Sequence, residues 1–177
     1  MSEPPVSEPI DDRLRRRVLW AMPSGLYVVG STTDGRVNLM TANLALQVAI
    51  EPKLVAVAID VTSLTHRLVA AGGCFSLSFL SREDRTVVRR FVKPVPEADV
   101  VAEGGRVVSM AGEPVELHAT GAPVLARAVA WVDCALRHRL ELGSHDLFVG
   151  EVVAVGGPDG DVPPVLRMED TRMNYGG

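Results

Sequence analysis

Three short stretches of the sequence gather polar side chains beside apolar runs, and each has the makings of a chemical site. Asn38-Leu39-Met40-Thr41-Ala42-Asn43 follows an Asp34-Gly35 turn. Its small and polar residues alternate, so backbone N–H groups can approach a planar, acceptor-rich ring edge-on. Asp60-Val61-Thr62-Ser63-Leu64-Thr65-His66-Arg67 follows an apolar run and opens a helical pattern. There, free N–H groups, hydroxyls and the positive end of a helix dipole converge, which suits a phosphate dianion, with His66 or Arg67 adding charge. Gly143-Ser144-His145-Asp146 places a histidine at a hairpin tip, with a reference pKa of about 6.5. Such a group can touch an aromatic cosubstrate or guide a proton. Plainer readings stand beside all three: a strand end facing water, an ordinary Ser or Thr N-cap, and a solvated turn histidine.

Other chemistries find less support. No Ser–His–Asp or Cys–His pairing can be traced, and no carboxylate pair recurs at helical spacing. A reaction carried by a cofactor asks less of the protein, mainly binding and orientation. Cys74 and Cys134 each sit in an apolar run without a second Cys or a His at metal-ligand spacing, so they read as buried free thiols and no metal is expected. His118 and His138 are weaker candidates, and His138 shares the parity of a buried strand face. Net charge is −4 and aromatics are 5%, with no basic stripe, which argues against nucleic acid. No stretch approaches the roughly 20 apolar residues of a membrane helix. Pro23-Ser24-Gly25 cuts short the apolar run after Arg15-Arg16-Arg17, so a signal peptide is not expected and the chain reads as cytoplasmic.

The elements that must position these stretches are mostly strands. Residues 1–10 read as a flexible tail and 11–177 as one domain of the 177-residue chain. A short helix fits Asp11 to Met22. Strands fit Leu26 to Gly30 and, after the Asp34-Gly35 hairpin, the segment from Val37. Leu54 to Ile59 has no polar residue and suits a barrel wall covered on both faces. A helix fits Ser63 to Ala71, with Gly72-Gly73 as its stop, and Cys74 to Leu80 returns to strand. Ser81-Arg82-Glu83-Asp84 matches a capping box, predicting a helix to about Phe91 with Val87, Val88 and Phe91 inward. Residues 97–122 predict loops and short extended pieces. Ala128 to Leu142 alternates, with Ala130, Val132, Cys134, Leu136 and Leu140 on one parity and Asp133, Arg137, Arg139 and Glu141 on the other. A second strand from Leu147 to Val155 completes a hairpin, and the segment from Val162 onward predicts a surface strap. No regular βαβ alternation, GxGxxG or P-loop is present, so the class is mainly β: a barrel with short peripheral helices.

At these residues the sequence resembles the flavin reductase-like, FMN-binding split-barrel family. Met22-Pro23-Ser24-Gly25-Leu26-Tyr27-Val28-Val29 resembles its opening strand, and Asn38 to Asn43 its Met-Thr-containing flavin loop. Gln47 to Pro52 is similar to the segment that follows. Thr62-Ser63-Leu64-Thr65-His66 falls where the family holds the FMN phosphate, and Cys74 to Leu80 matches the next strand. Gly121-Ala122-Pro123-Val124-Leu125, Trp131-Val132-Asp133-Cys134 and the terminal Tyr175-Gly176-Gly177 match further landmarks. Gly143-Ser144-His145-Asp146-Leu147-Phe148-Val149-Gly150-Glu151-Val152 resembles a Gly-Asp-His-Thr-hydrophobic-Phe-Val-Gly-Glu-Val signature, with Ser144 and Asp146 as departures. Leu44 stands where an aromatic is frequent, and Met173-Asn174 where an aromatic and a His are familiar.

The resemblance implies a split β-barrel of Greek-key type and an NAD(P)H-dependent flavin reductase passing a hydride from nicotinamide to FMN. It implies an isoalloxazine ring against Met40, Thr41, Ala42, Asn43 and Gln47, with Phe79 and Leu80 on the adjoining strand. The phosphate would rest on Ser63, Thr65 and His66, and His145 would approach the nicotinamide as the catalytic residue. A homodimer and a partner oxygenase or other electron acceptor are also implied. Two alternatives remain at this point: an electron-transfer flavoprotein, flavoredoxin-like, that oxidises NAD(P)H poorly, and a flavin-free binding module. Neither NADH nor NADPH is favoured by a ribose-reading motif.

Overall fold

The computed structural model describes residues 11–173; the expected N-terminal tail and the Tyr175-Gly176-Gly177 terminus lie outside the described residues. Helix α1 spans Asp12–Trp20. Asp11 caps it by accepting from the Arg13 amide, and Asp12 adds negative charge to the first turn, where the helix dipole favours it. None of its residues is buried.

The body is a seven-stranded antiparallel sheet. Its strands are β1 (Tyr27–Thr33), β2 (Arg36–Ala42), β3 (Ala45–Ala49), β4 (Leu54–Asp60), β5 (Cys74–Phe79), β10 (Ala130–Glu141) and β11 (His145–Gly156). They lie in the order β2-β1-β5-β10-β11-β4-β3, so β2 and β3 are the two edges. Only Asn43 and Leu44 separate those edges in sequence. The sheet therefore curls so that one end of each edge strand comes within the reach of two residues, with no ladder closing it: a split barrel, as expected. Asp34 and Gly35 turn the β1–β2 hairpin with φ of 47° and 78°, the left-handed pair that matches strand twist.

Helix α2 (Leu64–Gly72) plugs the barrel, and Val69 joins Val29, Val57, Ile59, Phe75, Leu77, Cys134 and Phe148 in its interior. Packing there is tight enough to require glycine: a Cβ on Gly150 would stand 2.7 Å from the Phe75 ring. A second core lies outside the barrel wall. It joins Val28 and Leu39 to Val87, Val88, Phe91, Met110, Leu125 and Leu166. Leu166 belongs to the C-terminal strap, which is pinned by single bridges from Gly25 to Arg167 and from Ser81 to Val165.

Four expectations need correction. The segment after Ser81 is not one helix but two 3-10 turns, Arg82–Asp84 and Val87–Phe91, with Ser81 accepting from the Glu83 amide. The inward side chains are nevertheless Val87, Val88 and Phe91. Residues 97–122 are more regular than expected, forming β6 (Val100–Glu103), β7 (Arg106–Met110) and β8 (Glu113–Leu117), which continue into β9 (Pro123–Leu125) as a second sheet.

The parity of β10 breaks. A register shift between Leu136 and His138 inserts an extra residue, so His138 and Leu140 turn outward and are exposed, not core. Asp133 keeps its parity but is fully buried, because residues 118–123 cover that face and Thr120 bonds its carboxylate. Finally, His145 is not at the hairpin tip. It is the first residue of β11, paired with Asp60 of β4.

Candidate functional site

The N-terminus of α2 is built to be rigid. Ser63 is its N-cap, its hydroxyl accepting from the His66 amide at 3.1 Å. Asp60 accepts from both the amide and the hydroxyl of Thr62 at 2.7 Å, which folds the approach to the helix. These hydrogen bonds hold its carboxyl below the ordinary value. Thr65 is 1% exposed, and its hydroxyl accepts from the Asn38 side chain at 2.9 Å. Asn38 in turn accepts from the Val95 amide, so β2, α2 and the segment after Phe91 meet at one buried amide. What faces outward is the start of that turn: Thr62 is exposed, Ser63 and Leu64 are half-buried, and Thr65 and His66 are buried beneath them. The Leu64 and Thr65 amides have no acceptor within the helix. Beside them are Thr62, Ser63 and the Arg67 guanidinium, which donates to the Thr62 carbonyl. The first turn contains no acidic residue.

Asp146 fastens this turn to the barrel. Its Oδ2 lies 2.7 Å from His66 Nε2, 2.7 Å from Arg139 Nε and 2.6 Å from Arg139 Nη2. The His66 hydrogen bond, followed by Arg139, holds the Asp146 carboxyl below its usual range. Because that carboxylate only accepts, the hydrogen in the contact sits on His66 Nε2. The imidazole also meets the Phe148 ring edge-on at 5.2 Å. Next in the chain, half-buried His145 has its Nδ1 3.0 Å from the Ser144 hydroxyl.

The second group of expected residues follows the split between β2 and β3. Met40 and Ala42 turn into the barrel interior. Thr41 turns the other way and donates to the Val88 carbonyl at 2.5 Å. These three residues therefore present backbone, not side chains, along an edge with no strand neighbour among the described residues. Asn43 is half-buried near Ser24, its amide 3.5 Å from that hydroxyl. Gln47 is exposed and donates to the Ala49 carbonyl. A cleft of about 320 Å³ opens beside it, lined mostly by apolar groups including Tyr27, Leu54, Phe79 and Val152. Tyr27 and Phe79 pack edge-to-face at 5.4 Å. Leu80 is not with them; it lies fully buried in the second core.

The structure thus brings Ser63, Thr65, His66 and His145 together at one end of the barrel and runs Met40–Asn43 along the adjoining edge. Gln47 and Phe79 share the cleft, and Leu80 stands apart. Reading the sequence alone missed Asp60, Asp146 and Arg139 as organisers. Asp146 carried a signal as a departure within the His145 motif, whereas Arg139 read as an outward charge on an alternating strand.

Comparison with known proteins shows which family has this fold. Residues 19–176 match the family described as flavin reductase like domain. The chain belongs to that family. An NADH-dependent FAD reductase of Streptomyces globisporus is 32% identical over 155 residues, covering 84% of this reductase and 80% of the relative. An NADH:riboflavin 5'-phosphate oxidoreductase of Streptomyces pristinaespiralis is 33% identical over 132 residues, covering 75% and 69%. The solved styrene monooxygenase flavin reductase of Pseudomonas putida S12 superposes with a TM-score of 0.69 at 25% identity, covering 86% and 90%. The chain is an oxidoreductase, a flavin reductase of the split-barrel type. Its residues fit the group such an enzyme handles. A first turn without acidic residues of its own, with the Thr62 and Ser63 hydroxyls and Arg67 at its start, suits a phosphate. An unpaired β edge suits the polar rim of a flavin ring.

Proposed function

We propose that this reductase takes FMN, with the phosphate on the N-terminus of α2 and the ring along the β2–β3 split, and reduces it with NADH. One observation carries the reading: His145 pairs with Asp60, so the β11 start lies one strand from the loop that opens the phosphate cradle. Ser63, the amides of α2 and Arg67 hold the phosphate. Thr65 and His66 support them from beneath. Backbone groups of Met40, Thr41 and Ala42, with Asn43 and Gln47, orient the ring, and Phe79 closes the cleft beside it. A bound flavin supplies N5 as the hydride acceptor. His145 sets the nicotinamide against the ring's exposed face, where alignment at about 3–3.5 Å is what the protein contributes to the rate.

NADH is favoured over NADPH by local charge. Arg139, whose partner Asp146 directly follows His145, is already committed to that ion pair and is not offered to an extra phosphate. The names of both Streptomyces relatives, each stating NADH, support the choice.

A second copy completes the enzyme. The apolar side chains Leu14, Val18 and Leu19 on α1, and Leu46, Val48 and Ile50 around β3, are 46–79% exposed on one chain. Patches of this kind mark interfaces. A homodimer with β3 in its interface would cover the flavin ring. Reduced flavin then passes to a partner oxygenase or another acceptor, as the monooxygenase reductase's name suggests for that protein. Free thiols, and a fold in which no described helix is long and apolar enough to cross a membrane, accord with work in the cytoplasm.

Initial rates with each pairing of FMN or FAD with NADH or NADPH test this directly. The FMN–NADH pair should give the highest kcat/KM. A clear preference for FAD would remove FMN from the account, and one for NADPH would refute the charge argument.

A further inference from the structure

We propose that Asp146 is the positioning residue of the phosphate cradle: by holding His66 to the β10–β11 hairpin, it fixes the first turn of α2 in the place that meets the flavin phosphate. The inference rests on the reading that the phosphate binds at Ser63–His66.

Helix α2 has nine residues, about 13 Å of helix, and its start has few anchors. Among its side-chain bonds to other elements are Asn38 on Thr65 and Asp146 on His66, and just before it the Val61 amide donates to the Ser144 carbonyl. Asp146 is 2% exposed, yet it collects three donors on one oxygen, from two different elements. Arg139 fixes the carboxylate from the β10 side, and Phe148 fixes the imidazole from below. The aromatic–imidazole contact, the Asp146 hydrogen bond and the N-cap on the His66 amide all converge on one residue of the first turn. An alanine at 146 could hold neither His66 nor Arg139, and an asparagine, though it keeps an accepting oxygen, loses the charge that draws both donors to it.

The proposal has a distinctive sign. Asp146 is an anion near an anion site, so simple electrostatics makes it a hindrance. Its removal takes away a negative charge and frees Arg139, and both effects favour phosphate. If Asp146 positions the helix start, its removal instead loosens the amides and hydroxyls that bind, and preorganisation is lost. The two mechanisms predict opposite changes in phosphate affinity.

The test compares FMN with riboflavin, which has the same ring without the phosphate. Dissociation constants are measured by flavin fluorescence on full-length wild-type, Asp146→Asn, His66→Gln and the double variant, with Tm recorded for each. Wild type should prefer FMN. If it does not, the phosphate reading itself fails, and this inference with it. Given that preference, Asp146→Asn should weaken FMN binding about tenfold while riboflavin stays within about twofold. His66→Gln should do the same, and the double variant should lose no more than either single change. An unchanged or stronger FMN preference in Asp146→Asn overturns the inference. So does an equal loss for both ligands, which would mean Asp146 merely supports the fold. Should Asp146→Asn fail to fold, His66→Gln decides: it must lower the FMN preference selectively, and equal binding of FMN before and after the change refutes the proposal.

Discussion

His145 and Asp60 face each other across the β11–β4 ladder, so the proposed nicotinamide residue and the loop leading to the phosphate cradle share one rung of the barrel. Asp60 spends its carboxylate on Thr62, while the His145 ring sits against Ser144. The two ends of the reaction are adjacent but separately held. His145→Ala should therefore lower kcat/KM for NADH about tenfold or more while FMN affinity stays within about twofold. Steady-state kinetics beside a flavin binding titration check this. A parallel loss of flavin affinity would show that His145 serves the flavin side.

Ser63 both caps α2 and faces the proposed phosphate. Ser63→Ala should cost about 1 kcal/mol of stability through the lost cap. It should also weaken FMN more than riboflavin. Ser63→Asp restores a capping oxygen but adds negative charge, so it should recover stability and lose FMN binding further. Urea denaturation and fluorescence titration separate the two effects; recovery of both by Asp would contradict a phosphate at this turn.

Neither thiol should react in the folded protein. Burial, and then the charge of Asp133, push the Cys134 thiol up to about 12. Burial also raises Cys74. Cys74 pairs with Ala135, whereas Cys134 pairs with Phe75, so the two side chains point to opposite faces of the sheet. Iodoacetamide near pH 8 should label no cysteine in the native chain and both in urea. Rapid native labelling of either would mean that the barrel wall opens locally.

Acid should loosen the site end of the barrel first. Asp146, through His66 and Arg139, and Asp60, through Thr62, both have carboxyls held below their ordinary values. A group with a depressed folded pKa contributes stability that is complete above its unfolded value of about 3.9 and is lost as pH falls through the folded one. The urea midpoint should fall between about pH 5 and pH 2, and Asp60→Asn with Asp146→Asn should flatten that fall. An identical pH profile in the double variant would show that these bonds add nothing to folding.

The barrel was legible because its strands carry strong local signals. Leu54–Ile59 has no polar residue, Asp34-Gly35 fixes a hairpin, and Gly72-Gly73 ends α2 where a left-handed cap occurs at Gly73. The misread elements share a cause: their side chains answer to neighbours far along the chain. His138 and Leu140 turn outward because a bulge in β10 shifts register, and alternation cannot reveal a bulge. Asp133 is buried because a loop folds over the strand. At the site, Ser63 and His145 could be singled out from local pattern, since a helix start and a turn motif are local features. Asp146's grip on His66 crosses eighty positions of sequence, and only the fold brings the two together.

The most direct test is an anaerobic titration of the protein with FMN and then NADH, followed in the flavin's visible absorption band. The account predicts that FMN binds and that its colour then bleaches rapidly, at a rate that rises with protein and far exceeds that of free FMN with NADH. FMN that binds yet keeps its colour would make this an electron carrier, and FMN that does not bind would contradict the site described above.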